Sequence, residues 1–140
     1  MTSAKENFLK TEGLLFALLY VFVLTFIVFP AVSFDTTLNF MTTPDSDNSA
    51  WVYLTLNFVF SVFDTVGRKM GGIKTLDLSN GGIKIVTLSR TIFIATSYLI
   101  AFKLWGLNTD WFVLVNMALF SWSNGYAGTL CAVKAPGTVP

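Results

Sequence analysis

Charge is scarce in this sequence. Asp, Glu, Lys and Arg make up 12% of 140 residues, where a soluble domain of ordinary make-up has about 25%. Histidine is absent, which removes His-based catalytic triads and most zinc sites. Cys131 is the single cysteine, so no disulfide scaffold and no thiolate metal cluster is expected. A net charge of +1 gives no electrostatic handle on nucleic acid. The Gly-Gly-Ile-Lys stretches lack the spacing of a phosphate-cradling loop. No Asn-x-Ser/Thr acceptor occurs, and no sustained heptad runs through the chain. These absences argue against an enzyme, a metal site or a bound cofactor.

Apolar residues are abundant instead, at 54%, with 14 Phe. Disordered chains have the opposite composition. The distribution points to a membrane: a bilayer core of about 30 Å takes roughly 20 apolar residues as helix. Residues 13–34 and 111–133 carry no charge at all. A run at 48–63 is shorter and continues helically through Asp64 to about residue 70. A run at 91–102 reaches membrane length only if 86–107 is counted, with Arg90 inside its first turns. Strands of a membrane barrel would alternate, and these runs do not. The expectation is an all-α, polytopic bundle of four transmembrane helices, at approximately 12–34, 49–70, 86–107 and 110–133. The first is too long for a signal-peptide core. Pro30 lies near its end, either as a terminator or as a bend.

Basic residues sort by side. Lys5, Lys10, Arg68, Lys69, Lys74, Lys84, Arg90 and Lys134 fall on one face of such a bundle, and Lys103 on the other. By the positive-inside rule both ends are cytoplasmic. The 71–85 loop is then cytoplasmic, and the 35–48 loop, with Asp35, Asp45 and Asp47, is extracellular. Trp51, Trp105 and Trp111 mark the outer boundary as an aromatic belt. The repeat GGIK at 71–74 and 81–84 reads as a duplication in a tolerant loop or as a lipid- or partner-binding segment.

Polar residues within a span usually face a bundle interior or an aqueous path. Asn57, Ser61, Asp64 and Arg68 are spaced by 4, 3 and 4, which places them on one stripe of a helix, extended outward by Tyr53. Asp64 and Arg68 meet at i, i+4. The carboxylate only accepts hydrogen bonds and the guanidinium only donates, a pair suited to a neutral polyol. The plainer reading makes Arg68 a cytoplasmic anchor and Asp64 its partner. Arg90 either snorkels to the interface or acts as an intramembrane charge partner across the bundle. Ser121, Gly125 and Gly128 form a small-residue face for helix packing. Asn116, Ser123 and Asn124 lie on another side, and a mid-membrane amide such as Asn124 needs partners.

Several segments together resemble one family. FSVFDTVGRK at 60–69 is similar to the helix signature of equilibrative nucleoside transporters. ALFSWSNGYAGTLCAVKAP at 118–136 resembles a later segment of the same family. VFPAV at 28–32 resembles the close of its seventh helix, and Arg90 with Phe93 the start of its ninth. The resemblance covers nearly the whole chain. It implies helices 7 to 10 of an eleven-helix solute carrier, part of the C-terminal bundle of a fold like the major facilitator superfamily. The N-terminal bundle of the transporter would then be a missing partner, as would the last helix. The implied function is facilitative transport of nucleosides or nucleobases by alternating access, in the plasma membrane by family default. The implied substrate-binding residues are Asp64 and Arg68, with Ser61, Asn57 and Asn124 around them. Ser61 stands where the family usually has Asn, Thr65 where an aromatic is common, and Ala127 where Leu is common. Ala95 or Thr96 stands where a proline often bends the ninth helix. Some microbial members are coupled to protons, and Asp64 is the acid placed for that role, with adjacent Arg68 arguing against it. The competing expectation is a truncated or non-transporting four-helix protein with a structural or regulatory role.

Overall fold

Three stretches are long and apolar enough to cross a membrane: Thr11–Phe29, Ala50–Gly71 and Gly81–Ile100. In the computed structural model, which describes residues 4–35, 38, 49–73, 78–103, 106 and 109–137, the first two are continuous helix and the third is helical on either side of Arg90–Thr91. The elements are α1 (Ala4–Asp35), α2 (Ser49–Gly71), α3 (Asn80–Ser89), α4 (Ile92–Ala101) and α5 (Asp110–Gly137). No strand occurs among the described residues, so the all-α expectation holds. Asp45, Asp47, Lys74 and Trp105 lie outside the described residues.

α1 begins well before residue 12 and carries on through Pro30 to Asp35. A proline removes one backbone donor, and membrane helices tolerate that loss. α2 matches its expected span within a residue. The third span differs most from 86–107. Ser79 caps it early: its backbone is extended, and its hydroxyl accepts from the Gly82 amide at 3.2 Å, as an N-cap does. The second GGIK is therefore the first turn of α3, not loop. The span then breaks at Arg90–Thr91. There the amides of Thr91, Phe93 and Ile94 bond carbonyls three residues back, each at 3.0 Å, a tightened turn between α3 and α4. α4 ends at Ala101, short of 107. Lys103 just beyond takes a left-handed φ of 52°, which cannot continue a right-handed helix.

α5 has 28 residues, long enough to span, but it is not among the three most apolar stretches. Its polar residues explain both facts. Asn116, Ser121, Ser123 and Asn124 are all buried, so α5 shows its polar atoms to protein and is the inner helix. α1 and α2 instead leave Phe16, Phe26 and Phe58 more than 60% exposed. Side chains of that size need an apolar surrounding, as lipid provides.

Two apolar cores fix the course of the chain. One joins Val28, Leu38, Val52, Leu56, Ile100, Val113, Met117 and Phe120. The other joins Leu14, Ala17, Ile83, Tyr126, Leu130 and Cys131. The first takes the late part of α1, the starts of α2 and α5 and the end of α4. The second takes the early part of α1, the start of α3 and the late part of α5. The spans therefore alternate in direction, as the charge pattern requires, and α2 runs parallel to α5. Trp51 and Trp111, both exposed, sit near the starts of α2 and α5 and so at one end of the bundle.

Candidate functional site

Between the two apolar cores lies a polar layer to which every span contributes. On α2, Arg68 donates through Nε to Asp64 Oδ2 at 2.6 Å, the i, i+4 geometry expected from sequence. Asp64 is 8% exposed, whereas the Arg68 side chain is 59% exposed. On α5, Asn124 Nδ2 donates to Asp64 Oδ1 at 2.7 Å. At the α3–α4 break, Arg90 Nη2 donates to Asn124 Oδ1 at 3.1 Å and to Thr25 Oγ1 of α1 at 3.3 Å. Arg90 Nη1 reaches the Val21 carbonyl at 3.4 Å. The Thr25 hydroxyl has two acceptors for its one proton, Val21 O at 2.8 Å and Asn124 Oδ1 at 2.6 Å. The chain of contacts is thus Arg68, Asp64, Asn124, then Arg90 with Thr25.

The Asn124 amide can be oriented only one way. A guanidinium has donors alone and a carboxylate acceptors alone, so the oxygen must face Arg90 and the NH2 must face Asp64. Arg90 is 1% exposed and does not snorkel. Its Cζ lies 5.0 Å from the Phe120 ring centroid, a cation–π distance, and its Nε has no partner among the described residues.

Close approach of two backbones builds this layer. A Cβ on Gly125 would overlap the Asp64 carbonyl, and one on Gly67 would overlap the Trp122 carbonyl. At Gly71 it would come within 3.0 Å of Thr129 Cβ and Tyr126 O. α2 and α5 therefore interlock through glycine, which brings Asn124 within reach of Asp64. Trp122 and Tyr126 stack at 5.5 Å beside this seam, and Trp122 Nε1 donates to Met70 Sδ. Of the expected packing face, Gly125 serves this contact. Ser121 is buried and bonds the Met117 and Ala118 carbonyls. Gly128 does not pack: a Cβ there would meet nothing within 4 Å.

Gly128 instead lines a cavity of about 220 Å³ beside the polar layer. Leu18 and Phe22 of α1, Arg68 of α2, and Asn124 and Thr129 of α5 share its wall. Ser61 and Asn57 lie on the same flank of α2 as Arg68. Ser61 is exposed, and its hydroxyl donates to the Asn57 carbonyl at 2.9 Å. A larger groove, about 470 Å³, runs between α1 and α3. Its lining is nearly all apolar, with Lys84 and Thr87 as exceptions, and it lies away from Asp64. The smaller cavity is the one with chemistry for a polar solute.

Spacing along α2 anticipated Asp64 and Arg68, and the structure adds Thr25, Gly67 and Phe120. Thr25 carried a usable signal, as one of two small hydroxyls, with Ser33, in the charge-free run 13–34. Phe120 carried none among so many aromatics. No group of three or more metal-ligating side chains occurs among the described residues.

A family model for nucleoside transporters matches residues 3–140. No curated protein and no solved structure matches the chain. The family match covers all the helices that build the polar layer, and the chain belongs to the nucleoside transporter family.

Proposed function

We propose that this chain forms the C-terminal part of a facilitative nucleoside or nucleobase transporter, working by alternating access and not as an enzyme. The observation that carries the reading is Asp64, buried and bonded to Arg68 and Asn124, both of which line one cavity. A carboxylate that only accepts and a guanidinium that only donates complement the hydroxyls and ring heteroatoms of a nucleoside. Small-molecule sites are usually about 300 Å³ or more. A smaller cavity lined by Arg68, on a helix that also leaves Ser61 and Thr65 exposed, suits half a site whose opposite wall comes from another helix bundle. Asn57 and Ser61 extend the polar flank toward that wall. Both termini face the cytoplasm, the 35–48 loop faces outward, and the plasma membrane is the host. Substrate moves as a uniport, without proton coupling.

Uptake of labelled adenosine or uridine tests this directly, in cells expressing the chain with a complementary N-terminal bundle. Asp64→Ala and Arg68→Ala should each lower uptake at least about tenfold, the weight of a lost charge-assisted hydrogen bond. Undiminished uptake at normal surface expression would overturn the assignment. Uptake that is steady across external pH at fixed membrane potential supports uniport. The open flank of α2 also favours a second reading, a non-transporting four-helix protein with a structural or regulatory role. That reading gains if proteoliposomes and cells show no nucleoside movement with any complementary bundle.

A further inference from the structure

The polar layer holds two arginines and one acid. Facing Asp64 are Arg68 from its own helix, Asn124 from α5 and, behind Asn124, Arg90 from the α3–α4 break with Thr25 from α1. The arginines differ in kind. Arg68 is mostly exposed and uses one nitrogen on Asp64; its terminal nitrogens have no partner among the described residues. Arg90 is almost fully buried and tied to Val21, Thr25 and Asn124, with the Phe120 ring against it. A buried cation is costly unless a counter-charge is near, and no carboxylate among the described residues touches Arg90. Asn124 closes that gap, since its oxygen meets the cation and its NH2 meets the acid.

We infer that Arg90, acting through Asn124, is a fixed internal counter-charge for Asp64, and that this leaves Arg68 able to turn from the carboxylate to a substrate. Arg90 and Asn124 are then positioning residues. The Asn124 oxygen is already occupied, so its part is to hold Asp64 in place. This division of labour rests on the transport reading above for its substrate half. The charge pairing does not need it.

Two measurements on the purified full chain test the two halves. The first needs no substrate. Arg90→Gln and Asp64→Asn should each lower the melting temperature, and the double variant should recover at least half of the summed loss, since neither charge is left alone. Arg90→Lys, which keeps the charge, should lose less than Arg90→Gln. If Arg90→Gln alone does not fold, the double variant must; a double variant that also fails, or losses that simply add, overturns the counter-charge. The second measurement is equilibrium binding of labelled uridine to the chain with its complementary bundle. Asn124→Ala should weaken binding about tenfold in the parent, the weight of one hydrogen bond to a charged group. In the Asp64→Asn background it should weaken binding less than twofold. An equal loss in both backgrounds makes Asn124 a direct ligand and overturns the relay. A parent protein that binds no uridine counts against the transport reading, and the melting cycle still decides the pairing.

Discussion

Gly125 and Gly128 are three residues apart and look interchangeable in the sequence, yet their surroundings assign them opposite roles. Gly125 lies against the α2 backbone, so Gly125→Ala must push α2 and α5 apart. Overpacking of this kind costs roughly 1–3 kcal/mol, more than the gain of up to about 1 kcal/mol from replacing glycine in a helix. The variant should melt earlier. Gly128 faces open space, so Gly128→Ala keeps the propensity gain without the clash and should melt no earlier than the parent. A bulkier Gly128→Leu fills the cavity beside Arg68 and should lower nucleoside uptake while leaving the fold intact. Melting curves in detergent and uptake in cells separate the two positions. Spacing put both glycines on one face. Only the neighbouring backbone tells them apart, and no residue within α5 encodes it.

At the level of helices, legibility followed range. The Asp64–Arg68 pair was readable because i, i+4 contacts lie within one helix. Absence of charge located α1 and α5, and α2 matched its expected span within a residue. The break between α3 and α4 was not readable, because Arg90 and Thr91 are neither glycine nor proline. The break serves a tertiary contact: it sits where Arg90 reaches α1 and α5. Likewise, the sequence favours snorkelling for Arg90 over cross-bundle pairing, and only the contact with Asn124 of α5 reverses that. The early start of α3 follows from its cap. Ser79→Ala removes the hydroxyl that accepts from the Gly82 amide, a loss of about 1 kcal/mol. Hydrogen exchange at the first turn of α3 should quicken, while exchange in α5 stays unchanged.

Across the whole molecule, the spans alternate in direction and the two ends of the bundle are chemically distinct. The exposed residues Gly72 and Thr109 lie at opposite ends, and the native Cys131 is buried. With the proposed orientation, a membrane-impermeant maleimide should label Thr109→Cys on intact cells and Gly72→Cys only after permeabilisation. The reverse pattern would invert the topology. The layering has a further consequence. Thr25, Asp64, Arg90 and Asn124 form a polar stratum with an apolar core above and another below. Val21, Leu24 and Phe120 are also buried there. In electrical terms the stratum is a set of fixed charges held between two layers of low dielectric. On the transport reading proposed above, solute passes along the exposed flank of α2, where Arg68 stands.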